Sequence, residues 1–355
     1  MKNLQISKTP PNFPRQVLLV TFVVLVVLLV WRLADFLVIV FGAVIVGTIL
    51  RVFADALQRY ARVPRRFSVL LTVVLLVTIL GTGIWLVGDP LLEQFKLLRE
   101  KLVYAFEALM EWLNTNRIGT SVLEYAGTVK SDAVPWAQRL AGVVGLTFGA
   151  LGTAGLMLVM GIYLAASPQI YRDGAIRLMP VPVRSRFADA LDKSGRALSR
   201  WLLGQSLSML FVGLTTAIGL WFLDVPLAFP IGIVSGILAF IPFFGAIVGG
   251  LLAVLLGFMQ GPQTALYVVI LAVVIQQIEG EVLMPLVQRW AVDLPPVLGL
   301  ASTVMFGVLF GVMGVLLATP MMVVLMIMVQ KLYIEGVLEH PNTNLEVDQQ
   351  GVENS

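Results

Sequence analysis

The sequence has no cysteine and one histidine, His340, which sits in a polar stretch near the C-terminal end. Disulfides and thiol chemistry are therefore excluded. A zinc site built from histidine and cysteine is excluded with them. A Ser-His or Cys-His nucleophile pair inside an apolar segment is unavailable too. Charge is also scarce. Only 13% of the 355 residues are charged, about half of the ~25% usual in soluble domains. Glycine-rich stretches lie in apolar runs without a nearby lysine, so phosphate cradles are not expected. No nucleophile elbow or metalloprotease motif stands in a usable context. The expectation is a non-enzyme with no resident cofactor or metal.

What is present is apolar. Hydrophobic residues make up 58% of the chain, and several runs reach the ~20 residues that a bilayer crossing needs. A transmembrane barrel would show short alternating segments instead. The fold class is all-α, a polytopic transmembrane helical bundle. The run 17–31 lacks a small-residue cleavage site and leads straight into another span, so it is expected to remain as a helix. The net charge of +3 hides an asymmetry. Five acids and no bases lie from Glu335 onward, and the rest carries an excess of eight bases. In loops beside spans, that excess reports orientation rather than nucleic-acid binding.

Taken in order, residues 1–15 form a basic, proline-bearing tail. Residues 16–87 hold spans one to three. Arg51, Arg59, Arg62, Arg65 and Arg66 lie in the turn before the third span, and such a cluster marks the cytoplasmic face. Residues 88–140 read as an extracytoplasmic helical hairpin. Its first arm carries the stripe Leu91, Phe95, Leu98, Leu102, Phe106, Leu109 and Leu113 at helical spacing. That seam favours packing against a partner helix, and the arm's role as an oligomer contact or a lid stays open. Residues 141–166 form span four, whose glycines suit close helix packing. Residues 167–200 carry seven bases and three acids. They read as an amphipathic interfacial linker, for which membrane lipid is the expected partner. Residues 201–330 form the last apolar block, and 331–355 an acidic tail. One crossing for each long run gives about eight spans, with both termini cytoplasmic.

The chemistry concentrates in that last block. One run is cut at Phe240-Ile241-Pro242-Phe243-Phe244-Gly245, and another contains Gly307, Gly311, Gly314 and Pro320. Each is too long for one straight span, so each is a kinked span or a re-entrant hairpin. Backbone that leaves the helix inside a membrane must line a cavity or be buried in protein. Between the two lies Gln276-Gln277-Ile278-Glu279-Gly280-Glu281. A carboxylate at membrane depth is costly unless protonated, paired or hydrated, which suits proton or cation coupling. Glu279 and Glu281 diverge on a regular helix, so both face one cavity only if the helix unwinds at Gly280. Gln205, near the inner end of its span, adds a hydrogen-bonding group. The bland alternatives are glycine packing at the cuts and a solvated surface loop at the acidic knot.

At these motifs the chain resembles the autoinducer-2 exporter family of bacterial eight-span membrane proteins. The matching pieces are Trp201-Leu202-Leu203-Gly204-Gln205, the Phe240 to Gly245 motif, Gln277-Ile278-Glu279-Gly280 through Pro285, Phe310-Gly311-Val312-Met313-Gly314, and Ala318-Thr319-Pro320. The chain departs from the family pattern at Ala246, at Glu281 and at Pro295-Pro296. The resemblance implies a homo-oligomer in the bacterial cytoplasmic membrane. It also implies export of a small solute, taken for different members to be a furanone-type signal or monovalent cations exchanged for protons.

Three functions follow as expectations. The first is a secondary transporter that exports a small solute. Glu279, with Glu281, Gln276, Gln277 and Gln205, would bind or couple H+ or Na+. The cuts at Pro242, Phe243, Gly245, Gly307, Gly311, Gly314 and Pro320 would gate it. A Na+(Li+)/H+ antiporter is its close variant. The second is a non-transporting scaffold or regulator acting through the hairpin and the acidic tail. The third, a passive channel, needs a continuous polar path that the other spans do not offer.

Overall fold

The computed structural model describes residues 32–115, 148–241, 244–288 and 295–338, together with isolated positions between 18 and 28. Outside the described residues fall most of the expected first span, the second hairpin arm, Pro242, Phe243, Arg289, Asp293 and the acidic tail beyond 338. The described residues are almost wholly helical and contain no strand.

Among the described residues, nine helices carry the fold. They are α1 (Ala34–Ala61), α2 (Arg65–Thr115), α3 (Phe148–Ala166), α4 (Pro168–Arg177), α5 (Arg184–Phe222), α6 (Ala228–Leu238), α7 (Phe244–Phe258), α8 (Pro262–Ile278) and α9 (Pro296–Val329). A π-helical turn, Glu279–Leu283, extends α8 into Met284–Gln288. By length and composition, four of the described helical segments can cross a bilayer, or five if α3 and α4 count as one bent span. The last of the four is the run that contains α9.

Small residues set the closest helix contacts, as expected where lipid gives apolar surfaces no reason to associate. Gly47 of α1 lies against the carbonyl of Gly161 on α3, where an added Cβ would stand 3.0 Å away. On α6, Gly232 and Gly236 are spaced to share one face, and both press on Gly213 of α5. Gly152 and Gly155 of α3 meet nothing within 4 Å, so only part of that helix's small face is used among the described residues.

Span three and the first hairpin arm are one continuous helix of 51 residues, with Pro90 inside it. The expected boundary near Asp89 is not a break. Leu98, Leu102 and Ala105 of this helix are fully buried in a cluster with Leu220, Ile231, Leu252 and Leu256. Trp112 meets Phe258 edge to face at 5.5 Å. The helical stripe read from the sequence therefore packs on α5, α6 and α7 of its own chain.

Both cut runs fold back on themselves. On α6 and α7, Gly249 packs against Ser235 and Gly245 against Ala239, an antiparallel register centred on residue 242. Gln260 Nε2, just past α7, donates to the carbonyl of Asp224, just past α5, at 2.5 Å. The hairpin thus starts and ends on one face. Its arms have 11 and 15 residues, roughly 16 and 22 Å at the helical rise, too short for a core of ~30 Å. In α9 the turn is at Gly311, whose φ of 63° and ψ of −147° are non-helical. Such a conformation suits glycine, which has no Cβ to clash. Gly314 then lies against the carbonyl of Phe306, and Gly307 against Val315. The expectation of eight counted these two runs as crossings, and their reversals remove that reason. Since α8 runs between them, the hairpins open toward opposite faces.

At the basic linker, α3 and α4 meet at 88°. Arg172 Nε and Nη2 donate to the two carboxylate oxygens of Asp192 at 2.7 Å each. Those paired bonds hold the Asp192 carboxyl below the usual carboxylate range. Nearby, Lys331 bridges to Asp189 at 3.7 Å and to Glu335, joining the end of the α9 run to the start of α5.

Candidate functional site

The tips of the two hairpins converge on one residue group. Trp201 of α5 sits in a buried cluster with Leu198, Leu202, Leu317 and Val323, and both Phe240 and Phe310 pack against it. Trp201 and Phe240 meet edge to face at 5.7 Å, a favoured aromatic geometry. One turn along α5, Gln205 is fully buried, and its Nε2 donates to the carbonyl of Ala239 at 2.6 Å. That carbonyl ends α6, where the helix leaves its own acceptors unpaired. Gln205 therefore fixes the first hairpin tip to α5.

Glu279 comes next. It lies on the first position of the π-turn and is 9% exposed. Its Oε1 accepts a hydrogen bond of 2.5 Å from Ser208 Oγ, 71 residues away on α5. Ser208 stands three residues after Gln205, so both project from the same side of α5. Single π-turns within α-helices are frequent at functional sites. No Lys, Arg or His pairs with Glu279 among the described residues.

Glu279 lines a cavity of about 30 Å³ enclosed by α5, α6, α7 and α8. That is room for about one water molecule or a bare ion. Ser235 of α6 and Gln276 of α8 line it too, as does Gly245 at the hairpin tip. Ser235 Oγ and Gln276 Oε1 are buried and find no hydrogen-bond partner among the described residues. Buried polar atoms are normally satisfied, and each exception calls for an explanation. Thr216 also lines it, and the rest of the wall is apolar, including Val212, Leu220, Val268 and Ile275. The cavity thus presents oxygens of a carboxylate, a hydroxyl and an amide in an otherwise apolar setting. Such a set suits a hard cation or a proton.

The sequence-predicted residues divide accordingly. Glu279, Gln276 and Gly245 line the cavity, and Gln205 stands beside it as a tether. Glu281 and Gln277 are exposed, so they are not brought to it. Gly280 does not unwind the helix, and the π-turn continues through it. Gly307, Gly311 and Gly314 shape the second tip, and Pro320 is fully buried farther along α9. Ser302 and Thr303 both donate to the carbonyl of Gly299. Ser208 and Ser235 were not legible as site residues. A serine in an apolar helix reads as bonding the preceding turn, which Ser206 does. Among the described residues no group of three or more His, Asp or Glu residues could hold a metal ion.

Comparison with known proteins adds a family. A sequence model described as AI-2E family transporter matches residues 19–334. The chain is 25% identical over 278 residues to "Putative transport protein YueF" of Bacillus subtilis, covering 73% of this chain and 74% of that one. It is 26% identical over 279 residues to "Putative transport protein sll0060" of a Synechocystis species, covering 74% and 79%. It is 35% identical over 190 residues to "Putative transport protein MT0215" of Mycobacterium tuberculosis, covering 49% and 51%.

Proposed function

The chain belongs to the AI-2E transporter family, and from that premise we propose that it is a secondary transporter exporting a small polar solute, with Glu279 as its coupling group. The single observation that carries the reading is the Glu279 carboxylate, buried in an apolar helix, held among the described residues by the neutral Ser208, and facing a cavity with two further oxygens that find no partner among those residues. Two hairpins open toward opposite faces with their tips meeting at Trp201. Broken helices that meet between the faces are the usual setting of a transported solute or coupling ion. Helix ends at the tips would lend partial charges to what binds there. Export, placement in the bacterial cytoplasmic membrane with both termini cytoplasmic, and a homo-oligomeric assembly belong to the same proposal.

One specific observation favours the cation-exchange variant. The cavity at Glu279 is small, about 30 Å³, on the order of one water or ion. H+ and Na+ are then the species handled at Glu279, whether they drive solute export or are themselves exchanged.

The test uses everted membrane vesicles carrying the full chain. Internal pH is followed after a pulse of sodium or lithium chloride. A prompt pH change that is reduced in Glu279→Gln supports cation–proton exchange. No change, in vesicles that hold a pH gradient, rules that variant out and directs the search to efflux of organic solutes. If Glu279→Gln also leaves every measured flux unchanged, the coupling role is wrong.

A further inference from the structure

A second concave site lies away from the hairpins. It is a groove of about 700 Å³ where α1, the start of α2 and the α3–α4 corner meet. Its size is that of ordinary small-molecule sites, about 300–1,000 Å³. Val69, Leu70 and Val73 of α2 and Ile162 of α3 form an apolar wall, while Arg51 and Gln169 stand at the polar end. The groove is amphipathic from end to end.

Arg51 is placed for a ligand as well as for the fold. Its Nη1 donates to the carbonyl of Ala165, at the end of α3, at 2.9 Å. The nearest recorded carboxylate, that of Asp55, is 3.9 Å from Nε, too far for a hydrogen bond. A guanidinium carries five N–H groups, so Arg51 caps the helix and keeps donors for an anion. The exposed Arg59 and Arg62 follow at the end of α1, and the local charge is positive. The depth is set independently. At the 88° bend the chain turns from the apolar α3 into α4, whose Ile170 and Tyr171 stay exposed. A basic helix with exposed apolar residues lies in the headgroup plane. The polar end of the groove therefore sits at headgroup level, and its apolar wall faces the acyl chains.

We propose that this groove binds one anionic glycerophospholipid, with its phosphate at Arg51 and an acyl chain along Val69, Leu70 and Val73. The charge of Arg51 and the arginine-rich turn selects an anionic headgroup, and the apolar wall selects a lipid over a free anion. Since the groove joins α1, α2 and α3, the bound lipid would pin these three helices together at one face.

The test is native mass spectrometry of the full chain, released from nanodiscs of equal phosphatidylglycerol and phosphatidylcholine. Wild type should retain one phosphatidylglycerol. Arg51→Gln keeps a donor for the Ala165 carbonyl but removes the charge. It should lower that retention by about fivefold, the equivalent of the ~1 kcal/mol that one arginine contributes at an anionic surface. Leu70→Trp fills the apolar wall without changing charge and should lower it similarly. Arg177→Gln, on the same basic linker but outside the groove, should leave it unchanged. Wild-type retention in both Arg51→Gln and Leu70→Trp overturns the proposal, as does full displacement by inorganic phosphate. Wild-type protein supplies a check free of folding effects. A photoactivatable phosphatidylglycerol should label residues of the groove, and labelling confined to other helices would contradict the site.

Discussion

The two hairpins share a plan and differ in what they hold. Each is an apolar run reversed at a tip where glycine allows backbone to touch backbone. The α6–α7 hairpin packs against α5 and α8, leaves Phe229, Ile237 and Ile247 exposed, and borders the cavity at Glu279 through Ser235 and Gly245. The first arm of α9 leaves Val297, Val304 and Val308 strongly exposed, up to 82%. Its hydroxyls, Ser302 and Thr303, serve their own helix. Similar punctuation in sequence thus yields one hairpin that borders a polar cavity and one whose hydroxyls serve only its own helix. The carboxylate and its neutral partner make the difference, and the glycines do not.

That contrast can be broken from either side. The largest effect should come from the second tip. Gly314→Val would force a side chain onto the Phe306 carbonyl, and backbone cannot swing aside as a flexible side chain can. We expect a loss of stability at or above the ~3 kcal/mol usual for severe overpacking, read as a collapse of the thermal transition in detergent. A transition like that of wild type would show that the tip is looser than described.

Next is the polar site. Glu279→Gln keeps the shape and removes the charge. Losing a buried charge-assisted interaction, ~1.5–3 kcal/mol, corresponds to transport slowed by about 10- to 100-fold, with the thermal transition retained. Gln205→Leu should act mainly on stability. It strands the Ala239 carbonyl, at ~1–3 kcal/mol for an unsatisfied buried acceptor, and thermal unfolding would register it. Ser208→Ala removes the side-chain hydrogen bond to Glu279. About 1 kcal/mol, or about fivefold in transport rate, is expected. Smallest of all is Glu281→Gln. The residue is exposed, and its neutralisation should change transport by no more than about twofold. A Glu281 effect as large as that of Glu279 would mean that both carboxylates reach one site in another conformation.

The sequence carried much of this, for identifiable reasons. Apolar runs and the arginine cluster marked the membrane helices, because bilayer thickness fixes run length. Glu279 was conspicuous as a carboxylate at the end of an apolar run. The cuts at Pro242 and Gly311 were visible as breaks, yet kink and hairpin leave the same pattern. The contacts Gly249–Ser235 and Gly314–Phe306 decide between them, and neither is a matter of local periodicity. The change from apolar run to charged stripe near residue 88 reads as a boundary, but the helix continues through it. Ser208 and Ser235 were illegible because their role depends on partners on other helices, 71 residues away in the case of Ser208.

The central claim is that charge enters and leaves the protein at Glu279. Solid-supported membrane electrophysiology measures it most directly, on proteoliposomes stepped between two pH values and between sodium-free and sodium-containing buffer. Wild type and Glu281→Gln should give transient currents within about twofold of each other, and those of Glu279→Gln should be smaller by about tenfold or more. Transients of wild-type size in Glu279→Gln would contradict the claim and place coupling elsewhere in the chain.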